Sequence, residues 1–108
     1  MKRVILDRTL EALADSRRRL VVDLLAEGPR SAGDLAEAAG LAPPAMSRHL
    51  RTLREARVVE EAASPADARV RLYRLRAQPM IHLRDWIAGV ERLWTAQPTS
   101  PVSGTGDG

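Results

Sequence analysis

Apolar side chains in the first forty residues recur three or four positions apart in three short segments. This spacing predicts three amphipathic helices, the first of which is expected to end near Ala14. Residues that favour helix ends separate the segments: Asp15-Ser16 offers an N-cap, Gly28-Pro29 ends the second helix and Gly40 ends the third. Ser31 with Asp34 resembles a capping box at the third helix. The apolar positions are Leu6, Leu10 and Leu13, then Leu20, Val21, Leu24 and Leu25, then Leu35, Ala36 and Ala39.

Residues 41–58, LAPPAMSRHLRTLREARV, predict a fourth helix that is apolar on one side and rich in arginine on the other. Met46, Leu50 and Leu53 share one face, and the opposite face and its flanks carry Pro44, Ser47, Arg48, Arg51, Thr52, Arg54 and Glu55. Only residues 40–42 separate this helix from the third one. Two short helices joined by a tight glycine-containing turn are typical of a helix-turn-helix, whose second helix enters the DNA major groove. Taken alone, the pattern of this helix also fits a solvated surface helix that does not bind DNA.

After Arg57 the apolar period changes from helical to alternating, which predicts a β-hairpin. Residues 58–61 form the first predicted strand, residues 64–67 are turn residues, and residues 68–75 form the second strand. Arg69 and Arg71 alternate with apolar residues, so one face of this strand is expected to be basic. The alternation slips at Leu72-Tyr73, which we interpret as a bulge or an end of pairing. A basic hairpin beside a helix-turn-helix is a wing that can reach DNA phosphates; an exposed hairpin without a partner is the alternative.

Pro79 opens a last helix whose apolar residues are more numerous than a chain of this size needs for its own core. One interpretation is an intramolecular core capped by tryptophan. We favour a two-fold dimer interface shared with the first helix, because DNA readers of this size usually need two half-sites. The predicted dimer contacts are Leu6, Leu10, Leu83, Trp86, Ile87, Val90 and Trp94. The proline, glycine and serine content after Thr95 predicts a disordered tail, so we divide the chain into a domain at 1–94 and a tail at 95–108.

Positive charge is concentrated in the middle third of the chain. The 108 residues carry a net charge of +3, yet residues 48–76 alone hold eight arginines against four acidic residues. Such a local excess is the footprint of a surface that binds a polyanion. Aromatic residues make up only 3% of the chain, so the core of this single domain is expected to consist of leucine, valine and alanine.

Several functional classes are disfavoured because the sequence lacks the residues that they require. It has no cysteine, only two histidines, no glycine-rich phosphate loop and no carboxylate pair in a plausible cleft, so we expect neither an enzyme nor a bound cofactor. No apolar run is long enough to span a membrane, and Asp7 interrupts the apolar start too early for a signal peptide. We therefore expect a cytoplasmic protein.

The chain resembles the ArsR-type family of winged-helix transcription regulators. The resemblance covers roughly residues 6–94 and is carried by residues 12–41, by PAMSRHLRTLREARVVE at 44–60, by RLYRL at 71–75 and by LRDWIAGVERLW at 83–94. The segment SRHLRTLREARVV is close to a fingerprint of this family, although regulators of the MarR type share a weaker version. The implied fold is mainly α with a β-hairpin wing: a winged helix-turn-helix of five helices plus a two-stranded wing, homodimeric.

This resemblance implies a homodimer that binds a double-stranded DNA operator of inverted-repeat form and represses transcription. By position, Ser47, Arg48 and Arg51 would contact bases, and Arg54, Arg69 and Arg71 would hold phosphates. His49 would have a structural or phosphate-contacting role. With Pro44 on the exposed face of the helix, the predicted DNA-binding set is Pro44, Ser47, Arg48, His49, Arg51, Arg54, Arg69 and Arg71.

Two departures from the family pattern matter. Ala42-Pro43 stand where relatives usually have a serine or threonine cap followed by glutamine, so the operator sequence is not inferred from relatives. The family's thiolate metal site falls on Ser31 and Gly33, and the last helix offers only His82, Asp85 and Glu91, so no metal site is expected. The leading hypothesis is a metal-independent repressor with an unknown inducer; a winged-helix module for protein–protein contact, without specific DNA binding, is the alternative.

Overall fold

A computed structural model describes residues 2–98 of the chain. The described part contains five helices and one hairpin, in the order that the sequence predicts. Met1 and residues 99–108 lie outside the described residues, so most of the predicted tail does too. The elements are α1 (Lys2–Ala12), α2 (Ser16–Leu25), α3 (Ala32–Ala39), α4 (Pro43–Glu55), β1 (Val59–Ala63), β2 (Arg71–Leu75) and α5 (Ala77–Thr95).

Side-chain and backbone caps set the ends of the first three helices. Asp15 has an extended backbone and accepts hydrogen bonds at Oδ1 from the amides of Arg17 (2.7 Å) and Arg18 (3.4 Å), which begins α2. The preceding helix, α1, ends at Ala12, two residues earlier than predicted. The Oγ of Ser31 accepts from the amide of Asp34 at 3.1 Å, so this half of the predicted capping box is formed.

The core lies between α2, α3, α4 and the hairpin. Its buried members come from all of these elements, and the predicted inward faces of α3 and α4 are confirmed. On α2, Val21 and Leu25 are buried, but Leu20 is exposed, so its assignment to the inward face was wrong. The fully buried side chains include Val21, Leu35, Met46, Leu50, Leu53 and Val58.

The hairpin is antiparallel and in continuous register from Val59 opposite Leu75 to Ala63 opposite Arg71. The predicted bulge at Leu72-Tyr73 was therefore wrong. The second strand is also shorter than predicted, because residues 68–70 belong to the turn, which the amide of Ser64 closes by donating to the carbonyl of Val70 at 2.8 Å.

A third segment extends this small sheet. Arg30 and Tyr73 exchange two backbone hydrogen bonds, of 3.1 and 2.8 Å, which form an isolated antiparallel bridge. Arg30 immediately precedes the cap of α3, so this bridge ties the wing to the start of the helix-turn-helix. The sequence pattern did not predict this contact, since a single bridging residue has no periodicity of its own.

The last helix packs chiefly against α1, outside the main core. It begins at Ala77, two residues before the predicted Pro79, and the apolar side chains of its second half remain exposed. Trp86 is 43% exposed and Ile87 52% exposed, so the interpretation of an intramolecular core capped by tryptophan was wrong for this chain on its own. None of the described helices is both long and apolar enough to cross a membrane.

Candidate nucleic-acid interface

A three-residue turn positions α4 against α3. Gly40 adopts the left-handed conformation (φ 68°), and the amide of Leu41 donates back to the carbonyl of Ala36 at 3.0 Å. A non-glycine residue at this φ would be strained, so Gly40 permits the tight reversal that the sequence indicated. Ala42 then begins α4 with an extended backbone and no side-chain cap, as expected from an alanine followed by two prolines.

One face of α4 is anchored in the core and the opposite face is open to solvent. Met46, Leu50 and Leu53 are essentially inaccessible, as their helical spacing predicted. Arg48 and Arg51 are exposed, and within residues 2–98 neither guanidinium has a carboxylate partner. The remaining predicted contacts on this helix follow the same division: Pro44, Ser47 and Arg54 are exposed, and His49 is half-buried.

The C-terminal end of α4 is closed by a Schellman motif. The amide of Val58 donates to the carbonyl of Leu53, and the amide of Arg57 to that of Arg54, each at 2.9 Å. Arg57 therefore has a positive φ of 61°, and it is the single non-glycine residue with positive φ in the described part of the chain. Left-handed backbone costs an L-residue about 1–2 kcal/mol. The sequence offered no signal for this strain, because glycine is the usual residue at such a position and is missing here.

Ion pairs connect the wing to α4. Glu61 on β1 receives two guanidinium groups, one from Arg54 on α4 (Nη1 to Oε1, 3.1 Å) and one from Arg71 on β2 (Nε to Oε2, 3.4 Å). The Glu61 side chain is only 19% exposed, so this carboxylate lies between the helix and the wing. Two predicted phosphate contacts, Arg54 and Arg71, are thus brought to one carboxylate.

A second carboxylate on β1 has the same arrangement. The Oε2 of Glu60 lies 2.6 Å from Nε of Arg74, its cross-strand partner, and Oε1 lies 3.7 Å from Nε of Arg76. Glu60 and Glu61 each serve two arginines, so the wing keeps a positive excess although most of its guanidinium groups are paired.

The structure corrects the position of Arg69. It lies in the turn rather than on the basic face of β2, with its side chain 90% exposed and paired to Asp67 (Nη2 to Oδ2, 3.1 Å). The side-chain and backbone hydrogen bonds from Arg69 lower the pKa of Asp67 below its ordinary value. Arg69 and Arg71 therefore do not share a strand face.

The predicted dimer contacts divide by burial. Leu6 is 5% exposed and packs within the chain, and Leu83 is half-buried, whereas the other five are exposed. Those five are Leu10, Trp86, Ile87, Val90 and Trp94. In residues 2–98, no three histidine or acidic side chains are grouped closely enough to hold a metal ion.

Comparisons with known proteins agree with this architecture. A family model described as "Bacterial regulatory protein, arsR family" matches residues 15–61. The chain is 40% identical over 89 residues to the HTH-type transcriptional regulator Rv2034 of Mycobacterium tuberculosis, which covers 82% of this chain and 78% of the relative. It is 36% identical over 56 residues to the transcriptional repressor SdpR of Bacillus subtilis, covering 52% of this chain and 62% of that protein.

Solved structures show the same fold. The ArsR family transcriptional regulator RHA00566 superposes with a TM-score of 0.74 at 27% identity, covering 86% of this chain and 93% of that one. The homodimeric winged helix-turn-helix DNA-binding domain of Mb0332 from Mycobacterium bovis superposes with a TM-score of 0.63 at 25% identity, covering 86% and 85%. The helix-turn-helix, the adjoining wing and these relatives together show that the chain belongs to the ArsR family of bacterial regulatory proteins and is a transcriptional regulator with a winged helix-turn-helix DNA-binding fold, not an enzyme.

Proposed function

We propose that this protein is a homodimeric repressor that binds an inverted-repeat operator in the bacterial cytoplasm and does not respond to metal ions. The observation that carries the proposal is the division of α4 into a buried face and an exposed face on which Arg48 and Arg51 have no carboxylate partner in the described chain. A helix held on one side and presenting unpaired guanidinium groups on the other suits the major groove.

Arg48 and Arg51 are the base-reading residues in this proposal. They are three positions apart, so they lie one above the other on the exposed face of α4. Arginine binds O6 and N7 of guanine through two hydrogen bonds, and each such contact discriminates between bases by about 1–3 kcal/mol. Ser47 adds a hydroxyl beside them. At the entrance of the helix Ala42 and Pro44 offer only apolar contact, which fits a thymine methyl group.

Arg54, Arg69, Arg71 and His49 would contact the DNA backbone. Arg69 at the tip of the wing is the most exposed of the four, and phosphate can replace Asp67 as its partner. Arg54 and Arg71 share Glu61, so one carboxylate leaves part of their positive charge available to a phosphate. These contacts would orient the protein on the duplex without reading its sequence.

The exposed apolar face of α1 and α5 would be covered by a second copy of the chain. Leu10, Trp86, Ile87, Val90 and Trp94 are large apolar side chains that the described chain leaves 40–52% exposed. Exposed apolar patches of this kind mark interaction surfaces. A two-fold axis through this face would present two copies of α4 to two half-sites, and the similar domain of Mb0332 is itself described as homodimeric.

Repression and metal independence rest on narrower support. The 36%-identical relative SdpR is named a transcriptional repressor, which favours repression over activation. The chain has no cysteine to supply thiolate ligands, and its two histidines lie on different helices, α4 and α5, rather than as a pair on one helix. We therefore expect the affinity for the operator to be the same with and without divalent metal ions.

Selection of bound duplexes from a random pool tests the proposal. The full chain is expected to enrich an inverted repeat whose half-sites are separated by about one helical turn of DNA. A winged helix that serves only protein–protein contact would enrich no coherent sequence, and that result would overturn the proposed function.

A further inference from the structure

A cavity of about 440 Å³ lies where α1, the end of α4 and the start of α5 meet. Its size falls within the range of small-molecule sites, and it is set apart from the exposed face of α4 that we assign to DNA. Val4, Ile5 and Pro79 are its apolar lining residues, and Arg8, Arg57 and Arg76 are its charged ones. The three arginines come from three different segments that only the fold brings together.

All the charged residues that line this cavity are arginines. No carboxylate is among its lining residues in the described chain; Glu11 and Glu55 line the adjoining depression instead. Arg76 is partly compensated, since its Nε lies 3.7 Å from Glu60, which also binds Arg74. Arg8 and Arg57 have no ion-pair partner within residues 2–98. Apolar lining residues together with guanidinium groups that have no carboxylate partner favour an anion with an apolar body.

The start of α5 lies beside the cavity and contributes Arg76, Gln78 and Pro79 to its lining. Arg76 occupies the N-cap position without a side-chain cap, and the first turn holds no acidic residue. The amides of Ala77 and Gln78 are thus left without a side-chain acceptor at the positive end of a nineteen-residue helix. Helix N-terminal amides and guanidinium groups both favour a carboxylate as their ligand.

Arg57, one of the residues that line this cavity, has a strained backbone. Its φ of 61° closes α4, and its carbonyl accepts a hydrogen bond from Nη1 of Arg76 at 3.4 Å. Glycine would meet the same backbone requirement without strain. Strain of this kind at a cavity wall, where the side chain is not needed for the turn, is a recognised mark of functional positions.

We propose that this cavity binds a small organic carboxylate with an apolar body, and that this ligand is the effector of the regulator. The regulatory part rests on the proposed function. The cavity wall includes Ala56 and Arg57 at the end of the DNA-reading helix and Val4 and Ile5 on α1. None of the five side chains assigned to the proposed dimer face, Leu10, Trp86, Ile87, Val90 and Trp94, lines it. Occupancy would therefore change how α4 sits relative to the α1–α5 pair and alter DNA affinity.

Ligand binding is tested without DNA, by calorimetry and ligand-observed NMR on the full chain. The probes are octanoate, benzoate and indole-3-acetate, with octan-1-ol as the uncharged match and inorganic phosphate as the anion without an apolar body. We expect at least one carboxylate to bind saturably and more tightly than either control.

The decisive variant is Arg57→Gly, which removes the guanidinium and keeps the left-handed turn. Loss of one charge-assisted hydrogen bond should weaken the carboxylate about ten-fold or more. Arg8→Gln should act in the same direction, and Arg17→Gln, an exposed arginine on α2 outside the cavity, should leave affinity unchanged. Thermal unfolding of Arg57→Gly checks that the variant is folded.

The binding site, its role as an effector site and the proposed function are each overturned by a different outcome. No saturable binding by any of the three carboxylates, equal binding of octan-1-ol or phosphate, or unchanged affinity in Arg57→Gly would overturn the site. A bound carboxylate that leaves the affinity for the selected duplex unchanged would overturn its role as effector. Failure to select any duplex would overturn the proposed function and leave the binding site standing.

Discussion

Arg54 of α4 and Glu61 of β1 form an ion pair, with Nη1 3.1 Å from Oε1, that joins α4 to the wing. Because Glu61 also holds Arg71 of β2, one carboxylate determines the positions of two proposed phosphate contacts. The same carboxylate partly neutralises them, so it works against binding of a polyanion.

Replacing Glu61 separates these two effects. Glu61→Gln should raise affinity for DNA of any sequence and steepen its salt dependence by about one unit for each further phosphate that the released arginines neutralise. Because the paired arginines are about half exposed, the free energy of unfolding should fall by no more than about 1 kcal/mol. Salt titrations of duplex binding measure the first effect, and urea denaturation the second. Asp23→Asn makes the same change of charge at an exposed residue of α2 and should alter neither the salt slope nor the free energy of unfolding. An unchanged salt slope in Glu61→Gln would contradict the assignment of Arg54 and Arg71 as phosphate contacts.

Arg48 and Arg69 should behave differently on DNA. Arg48→Ala should weaken binding to the selected operator by about 1–3 kcal/mol and reduce sequence preference, because a base contact is lost. Arg69→Ala should weaken all duplexes alike and reduce the salt slope by about one unit, because only a phosphate contact is lost. Gel-shift titrations on specific and random duplexes distinguish the two. Equal operator affinity for Arg48→Ala and the unaltered chain would show that α4 does not read the bases.

Arg57 and Gly40 both have a left-handed backbone, but only Gly40 is the residue type that adopts it without strain. Arg57→Gly relieves the strain and should leave the free energy of unfolding unchanged or raise it by up to about 1 kcal/mol, since part of the relief is offset by the greater freedom of glycine in the unfolded chain. Gly40→Ala is the reciprocal test. A Cβ at Gly40 would meet no atom within 4 Å, so its expected loss of about 1 kcal/mol is purely conformational. Both changes are measured by denaturant unfolding; a destabilised Arg57→Gly would mean that its side chain stabilises the fold.

A charged substitution on the α5 part of the exposed apolar face should weaken dimerisation and leave the fold of each protomer intact. Ile87 is 52% exposed in the single chain, so Ile87→Glu should preserve the helical circular dichroism and raise the dimer dissociation constant more than about ten-fold, since a charge is then buried in the interface. Sedimentation equilibrium measures the constant. Leu20→Glu, an exposed apolar residue on α2, is the matched control and should stay dimeric. Equal dimerisation of both variants would place the interface elsewhere.

The Asp15 cap of α2 should stabilise the fold less at acidic pH. Hydrogen bonds from the amide of Arg17, then Arg18, lower the pKa of Asp15 below its ordinary value. Its folded pKa lies below the unfolded one, so the stabilisation is present above the unfolded value and is lost as the pH falls through the folded value. Asn is also a good N-cap but does not titrate, so Asp15→Asn should show a shallower fall of melting temperature on acidification. Parallel pH profiles for the two proteins would argue against this role.

Part of the site was predictable because it depends on local geometry. The four-residue and three-residue steps of Met46, Leu50 and Leu53 determine which side of α4 is buried, and hence that Arg48 and Arg51 face outward. The predicted position of Arg69 was wrong for the opposite reason. Strand alternation alone does not show where a turn ends. The turn of this hairpin extends to Val70, whose carbonyl accepts a hydrogen bond from the amide of Ser64.

The sequence by itself determined the elements, the anchored face of α4 and the concentration of positive charge, because each depends on neighbours a few residues apart along the chain. Only the tertiary structure decided which guanidinium groups are compensated, since the strand register and the packing of the wing against α4 place Glu60 and Glu61. It also decided that Arg8, Arg57 and Arg76 line one cavity. Long-range contacts of this kind arise from packing of whole elements, which no local period along the chain records.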